Sequence, residues 1–203
     1  MGQIWIPSIE VESAHGTREV SLGTRHLMKR RIFINGSIDS ELANNFLSQF
    51  MYLENEGDGE ITIYINSPGG EVNAGLMIYD IIQESNVSVN IICTGMAASM
   101  AAVILAGGQK GRRCILKHSK VMIHEPLLAN GVGGSATSIK NISESILETR
   151  NLLNGILAKH TGKSLKEVNK ATSFDNYMNS EEAIKFGICD VVCKNITGGT
   201  YNG

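Results

Sequence analysis

The chain has 203 residues, a length typical of one domain, and it is 42% hydrophobic and 19% charged. Its formal net charge of −2 offers no electrostatic basis for binding nucleic acid. The longest apolar stretch, residues 96–106, is too short to cross a bilayer, and the N-terminal sequence MGQIWIPSIE lacks the basic and apolar regions of a secretory signal. We therefore expect a single-domain protein of the cytoplasm or an organelle matrix, with neither nucleic acid nor a membrane as a partner.

Strands and helices are predicted to alternate through much of the chain. Residues 1–25 are polar and show no clear period, so we expect an irregular, mobile arm. After them, runs rich in β-branched residues predict strands, and apolar residues at helical spacing predict helices. The predicted elements are strands over 30–36, 60–70, 87–95 and, as one or two short strands, 114–126, with helices over 40–57, 71–85 and 96–106. This alternation predicts an α/β fold with βαβ units and a largely parallel sheet.

One long helix is predicted in the C-terminal third. Apolar residues recur from Ile139 to Ile156 at steps of three and four, and the pattern ends near Gly162, a residue type suited to a helix C-terminus. A helix of about 25 residues is about 37 Å long, so we expect it to project and to pack on a partner. The elements predicted after it are a helix with a Ser164/Glu167 capping box, a helix that ends at Gly187, a strand over 189–193 and a frayed tail over 194–203.

The four cysteines are Cys93, Cys114, Cys189 and Cys193, and none forms a C-x-x-C pair. Cys189 and Cys193 could share a metal ion, but no second pair of ligands accompanies them. We therefore expect buried thiols and no metal site.

Ser99 stands in the apolar run CTGMAASMAAVILAGG, almost alone as a side chain with a strong hydrogen-bonding group. Such a serine either bonds back to its own helix backbone or acts as a nucleophile in a dry pocket. Ala97 and Ala101 stand where a G-x-S-x-G elbow has glycines, which argues against an α/β-hydrolase.

Three predicted strand ends carry groups that a hydrolase uses. They are the Ser-Pro-Gly-Gly segment at 67–70, Ser99 and His124. The carboxyl ends of parallel strands face one crevice, so backbone donors, a hydroxyl and an imidazole could meet there. Composition does not select an acid, although Asp175, in a loop between two predicted helices, is a plausible one.

Four segments, YINSPGGEVNAGLMIYD, GMAASMAA, KVMIHEP and FDNYMNSEEAIKFG, resemble in order and spacing the motifs of the ClpP family, the proteolytic subunits of the Clp protease (peptidase family S14). The resemblance covers roughly residues 25–193. It implies a crotonase-like α/β fold with a protruding handle of a strand and a long helix over 127–162, and an axial N-terminal arm over 1–25. It further implies a cytoplasmic serine endopeptidase of two stacked heptameric rings, a tetradecamer, that needs no cofactor. An AAA+ Clp ATPase would unfold polypeptide substrates and feed them into the ring chamber.

The resemblance also implies roles for single residues. Ser99 matches the nucleophile, His124 the base and Asp175 the acid of a Ser-His-Asp triad. Gly70 and Met100 match the residues whose backbone N–H groups form the oxyanion hole.

The chain departs from the family pattern at several positions. Tyr64 matches a residue of the pocket that docks the ATPase, but Thr62 stands at a neighbouring position that is usually aromatic. Glu125 follows the catalytic histidine where the family usually has Gln, and Ser173 and Phe174 replace an acid–Arg pair whose Arg bridges to the other ring. The change to Thr62 bears on the strength of ATPase docking, and Glu125 bears on handle contacts or on the environment of the base. The loss of the acid–Arg pair at Ser173 and Phe174 is either harmless drift or a sign of weaker ring pairing, with a paralogous ring supplying the missing contacts.

Two alternative functions stay open at this point. One is a ClpP paralogue of low activity that assembles with a partner ring. The other is a crotonase-fold acyl-CoA hydratase or isomerase, which would need catalytic glutamates and a surface that binds CoA.

Overall fold

A β-sheet of mostly parallel strands forms the centre of the protein in a computed structural model, which describes residues 7–13, 16–128 and 133–197. The strands are β1 (Ser8–Ser13), β2 (Gly16–Ser21), β3 (Arg31–Asn35), β4 (Ile61–Ser67), β5 (Val89–Ala98), β6 (Arg113–Ile115), β7 (Lys120–Ile123), β8 (Asn176–Met178) and β9 (Val191–Val192). The helices are α1 (Leu22–Met28), α2 (Ser40–Asn55), α3 (Val72–Gln83), α4 (Met100–Ala106), α5 (Ala136–Thr161), α6 (Leu165–Thr172) and α7 (Ser180–Phe186). Within the described ranges, no helix has both the length and the apolar character that crossing a membrane requires.

The long strand β5 connects the two parts of the sheet. The parallel strands follow the order β3-β4-β5-β6-β9. The first half of β5 pairs with β6 and the second half pairs with β7, again in parallel, while β8 runs antiparallel to β7. The prediction of an α/β fold with a largely parallel sheet is therefore confirmed, whereas the crotonase-like arrangement stays a prediction.

The main core packs against one face of the sheet. Ile63 and Ile65 of β4 are fully buried in it, and every residue of α4 is buried as well. Tyr64 points to the opposite face, because successive side chains of a strand alternate between faces. A second, smaller cluster there contains Tyr64, Ile92, Cys114 and Cys193. The helix that follows Ser99 thus packs within the most deeply buried part of the molecule.

All four cysteines are buried and unpaired. Burial raises the pKa of the Cys93 thiol to about 11 and that of Cys114 to about 12, so both stay protonated at neutral pH. No group of three or more His, Cys, Asp or Glu side chains in the described part of the chain is arranged to hold a metal ion. The cysteines behave as small apolar core residues.

The N-terminal segment is more regular than its composition suggests. β1 and β2 form a two-stranded antiparallel sheet, and α1 begins at Leu22, so the prediction of irregular structure is wrong for residues 8–13 and 16–25. Ile9 pairs with Val20 and Glu10 with Glu19, which places apolar and charged side chains on alternate faces. The expected mobility of the arm stays a prediction.

The apolar run before Ser99 is strand, where the sequence predicted helix. Met96, Ala97 and Ala98 continue β5 and pair in parallel with Lys120–Met122 of β7. Ala and Met favour helices, but the pairing with β7 outweighs this local preference. As a result the helix begins after Ser99 and not before it.

The long helix α5 begins at Ala136, earlier than the predicted Ile139, because the side chain of Ser135 caps it. It ends before Gly162, which adopts the left-handed conformation expected at this position (φ 74°). The glycine stop was therefore predicted correctly, while the start depended on a capping serine outside the apolar pattern.

The predicted handle agrees with the structure only in its helix. Residues 127, 128 and 133–135 form no strand, and the remainder of the predicted handle strand, residues 129–132, lies outside the described residues. The buried residues of α5 are Leu153, Asn154 and Leu157. Only the C-terminal half of this helix thus has residues buried in the core of the chain.

The C-terminal elements largely follow the sequence. The capping box of Ser164 and Glu167 is present at the start of α6, and α7 ends before Gly187 (φ 100°). β9 lies within the predicted strand 189–193. β8 was not predicted, because three residues are too few to show an alternating pattern.

Candidate active site

A cleft of about 260 Å³ lies where three segments leave the sheet. These segments follow β4, β5 and β7, and they bring Gly70, Ser99 and His124 into its lining. The carboxyl ends of parallel strands therefore converge here, as the sequence predicted.

Ser99 has a strained backbone at the turn from β5 to α4. Its φ of 54° and ψ of −122° are rare for a residue with a side chain, and such strain concentrates at functional sites. Its N–H donates a hydrogen bond to the carbonyl oxygen of Met122 (2.8 Å), and its own carbonyl oxygen accepts from Ala102 and Val103. These bonds at both ends of the residue offset the strain. The strand–turn–helix geometry is that of a nucleophile elbow, although the flanking residues are not glycines.

Gly69 provides the space that this turn needs. A Cβ atom at Gly69 would lie 2.7 Å from the Cβ of Ser99 and 2.6 Å from the carbonyl oxygen of Ala98. Gly69 also has a φ of +91°, which disfavours any other residue. The first glycine of the Gly-Gly pair thus lets the backbone approach the serine closely.

His124 lies beside Ser99, just past the end of β7. Its Nε2 is 2.9 Å from the Ser99 Oγ, a normal hydrogen-bond distance. The bond is aligned for proton transfer from the hydroxyl to a neutral imidazole. Ser99 is thus no ordinary helix residue bonded to its own backbone.

Asp175 is close to the imidazole but poorly aligned with it. Its Oδ1 lies 3.2 Å from the His124 Nδ1, yet this buried nitrogen has no hydrogen-bond partner among the described residues. The two groups are thus neighbours, but the hydrogen bond between them is not formed. The Asp175 side chain is 61% exposed and directly precedes β8, whose pairing of Asn176 with Ile123 holds it near the histidine.

Gly70 and Met100 line the cleft beside Ser99. Neither backbone N–H donates a hydrogen bond to another backbone group among the described residues. Gly70 packs tightly on Ile38: the two residues form a parallel bridge, and a Cβ at Gly70 would lie 2.1 Å from the Ile38 carbonyl oxygen. Free donors of this kind stabilise an oxyanion that forms at a nearby carbonyl.

The remaining wall of the cleft is mostly apolar. It consists of Val72, Val103, Met122, Leu153 and Leu157, with Pro68, Ile123, Pro126, Leu127 and Asn154. Asn154 is held by donating hydrogen bonds to Asn169 Oδ1 (2.7 Å) and Thr172 Oγ1 (3.1 Å). No Asp or Glu lies among the lining residues that the structure describes.

Tyr64 lies in a different cleft, of about 360 Å³, on the other face of the sheet. Its ring stacks on Phe33 with 5.1 Å between the ring centroids, and its hydroxyl donates to the carbonyl oxygen of Ile196 (2.7 Å). Burial raises the pKa of Tyr64. Sequence reasoning missed Phe33, which is 41% exposed and supplies an aromatic surface that Thr62 lacks. The only available signal was an aromatic residue on the neighbouring strand.

The structure shows the surroundings of Glu125, Ser173 and Phe174, the residues at which the sequence departs from the family pattern. Ser173 ends α6 and donates from its hydroxyl to the Lys170 carbonyl oxygen (2.9 Å), while the Phe174 side chain is 59% exposed. Glu125 lies 3.5 Å from Arg150 of α5, measured from Oε2 to Nη1. Arg150 was not singled out in the sequence, because charged residues on a helix are usually solvated.

Comparison with known protein families finds a match that covers most of the chain. The model of the family described as Clp protease matches residues 14–196. The match includes every residue named above in the cleft at Ser99 and in the cleft at Tyr64.

Proposed function

Because the chain belongs to the Clp protease family, and so is a peptidase, we propose that it is a serine endopeptidase that uses Ser99, His124 and Asp175. Ser99 is the nucleophile, His124 is the general base, and Asp175 orients the imidazole and stabilises the imidazolium. Gly70 and Met100 donate their backbone N–H groups to the oxyanion.

The reaction follows from these roles. The Ser99 Oγ attacks the peptide carbonyl carbon while His124 Nε2 takes the hydroxyl proton. The tetrahedral intermediate collapses, the peptide C–N bond breaks, and His124 returns the proton to the leaving amine. A water molecule then attacks the acyl-enzyme, with His124 again as base, and releases the acid product and free Ser99.

The observation that carries the proposal is the 2.9 Å contact between Ser99 Oγ and His124 Nε2 at a strained turn. A buried structural serine would need neither the strain nor an imidazole partner. The acyl-CoA alternative is weaker, because it requires carboxylates in the cleft and the described lining has none.

The apolar lining supports a substrate class. Val72, Val103, Met122, Leu153 and Leu157 surround the space beside Ser99, so apolar side chains on the residue before the cleaved bond gain most from burial there. Unfolded polypeptides expose such side chains, which fits substrates that an ATPase has unfolded.

Assembly and partners belong to the same proposal. We expect a single cytoplasmic domain that forms heptameric rings, stacked as a tetradecamer, either alone or with a paralogous ring. The N-terminal half of α5, with exposed Ile139 and Leu147, would supply the handle between rings. The cleft of Tyr64 and Phe33 would receive an apolar segment of the AAA+ ATPase.

Labelling with a fluorophosphonate probe tests the nucleophile. We expect the probe to label only Ser99, and Ser99→Ala to abolish both labelling and peptide hydrolysis while the assembled mass stays the same. Ser48→Ala, at an exposed position of α2, is the matched control and should keep full activity. Undiminished hydrolysis by pure Ser99→Ala protein would refute the assignment.

A further inference from the structure

The segment that carries His124 has little backbone support. The pairing of β7 with β8 ends at Ile123. Beyond it, the described residues up to Leu128 form no strand or helix, and one backbone hydrogen bond, from the Glu125 N–H to the Thr172 carbonyl oxygen (2.7 Å), holds the segment. Side-chain contacts of this segment can therefore add to the positioning of the imidazole.

Glu125 makes such a contact with α5. Its Oε2 lies 3.5 Å from the Nη1 of Arg150, and both side chains are half-buried, with 44% and 37% exposed. The Nε of Arg150 is buried and donates to no acceptor in the described part of the chain. Glu125 is the one carboxylate paired with this guanidinium among the described residues, so a neutral side chain at position 125 would remove the counter-charge of Arg150.

Arg150 belongs to the helix face that forms the cleft wall. Leu153, Asn154 and Leu157 follow it at spacings that put all four residues on one side of α5. The ion pair thus connects the residue beside His124 to the same rigid surface that contacts the substrate.

Within the described chain, the imidazole of His124 lacks a hydrogen bond at Nδ1 that would fix its orientation. His124 Nδ1 lies within 3.2 Å of Asp175 but makes no aligned hydrogen bond, so a slight change in ring orientation decides whether the base is correctly held. A misplacement of about 1 Å can slow a reaction about 100-fold.

We propose that Glu125 and Arg150 are positioning residues, which hold the His124 segment against α5 in the orientation that catalysis requires. This inference rests on the proposed serine peptidase function. An ion pair this exposed contributes little to the free energy of unfolding, so its effect falls on alignment and not on folding.

A double-mutant cycle tests the pair in the full-length protein. The variants are Glu125→Gln, Arg150→Gln, both together, and Arg150→Lys, which keeps the charge. The readouts are kcat and KM for an apolar peptide, with kcat expressed per fluorophosphonate-labelled site and compared at equal assembled mass in sedimentation. The matched control is Glu60→Gln with Arg112→Gln, an ion pair of similar exposure (37% and 38%) that lies outside the cleft and outside α5.

We expect each single Gln variant to lower kcat about tenfold, in line with a small misplacement of the base, with KM unchanged. The double variant should lose no more than either single one, Arg150→Lys should recover most of the rate, and the control should match the wild type. If one variant fails to fold, the other single variant and Arg150→Lys carry the same test.

Three results would overturn the inference: unchanged kcat in the single variants, losses that multiply in the double variant, or Arg150→Lys as slow as Arg150→Gln. A change in melting temperature alone, with kcat per site unchanged, would show that Glu125 and Arg150 act only on stability. That result would also refute the inference. A wild-type protein that neither labels nor cleaves peptides would instead refute the proposed function, so the two failures are distinct.

Discussion

Ser99 and Asp175 stand at opposite ends of the candidate triad and are held in opposite ways. Ser99 is bonded through its backbone to Met122 and to the first turn of α4, a helix buried along its whole length. Asp175 is 61% exposed and precedes a strand of three residues. The proposed nucleophile and oxyanion donors are thus positioned by the core of the chain, whereas the proposed base–acid contact depends on peripheral segments. Activity can therefore change through the periphery while the nucleophile stays in place.

The largest effect should come from a substitution in the firmly held half of the site, which contains Gly70, Ser99 and Met100. Gly70→Ala would force a Cβ to within 2.1 Å of the Ile38 carbonyl oxygen, so the backbone and its N–H donor must move. Loss of one oxyanion donor typically lowers kcat about 100- to 1,000-fold, and we expect a loss at the upper end, together with a lower melting temperature. Peptidase kinetics and thermal unfolding on the same sample measure both.

Gly155→Ala is the matched control for that substitution. Gly155 lies in the middle of α5, and a Cβ there meets no atom within 4 Å. Alanine at an exposed helix position should raise the free energy of unfolding by about 1 kcal/mol and leave kcat unchanged. Equal kinetics of Gly70→Ala and wild type would show that the oxyanion donor lies elsewhere.

A substitution in the peripheral half of the site, which contains Asp175, should lower activity without a loss of stability. Asp175→Ala removes the acid but touches no core contact, so we expect kcat to fall by at least about 100-fold with a melting temperature close to that of the wild type. Fluorophosphonate labelling should slow in parallel. Asp58→Ala, at an exposed and distant position, serves as the control. Full activity without Asp175 would mean that the unaligned contact at His124 Nδ1 is not used in catalysis.

The firmly held half was also the easier one to predict from sequence, with one exception. The runs of β-branched residues predicted β3 and β4, and the Ser-Pro-Gly-Gly segment predicted backbone donors after β4. The exception is Met96–Ala98, which reads as helix because only pairing with the distant β7 makes it strand. Local patterns carry no information about such long-range pairing.

The peripheral half could be predicted only in part. Asp175 was selected by family resemblance, since nothing local distinguishes it from other loop carboxylates, and β8, which positions it, is too short to show a period. Arg150 and Phe33 were missed for a related reason. Arg150 matters because it lies beside Glu125, and Phe33 matters because it stacks on Tyr64, and neither contact shows in the local sequence.

The smallest expected effect comes from a substitution in the ion pair of Arg113 and Asp190, which supports α4, the helix that follows Ser99. Arg113 is almost fully buried and donates through Nη1 to the carbonyl oxygens of Ala106, at the end of α4, and of His160, near the end of α5 (both 3.1 Å). Its other donors, at Nε and Nη2, bind Asp190. Burial alone would raise the pKa of Asp190, but hydrogen bonds and the charge of Arg113 outweigh burial and lower it. The carboxylate thus neutralises a buried cation that ties the Ser99 helix to the sheet.

Removal of that carboxylate should therefore destabilise the fold in a pH-dependent way. We expect Asp190→Ala to lose about 3 kcal/mol at pH 7, the usual result of leaving a buried charge unpaired. Because the pKa of Asp190 is lowered by folding, its contribution is complete above the pKa of an unfolded aspartate, about 3.9, and fades as the pH falls below that value. The difference in unfolding free energy between wild type and variant, measured by urea titration from pH 7 down to pH 3, should shrink below about pH 4. A difference that stays constant over this range would mean that Asp190 acts by packing and not by charge. The support of the Ser99 helix would then rest on Arg113 and its two carbonyl partners alone.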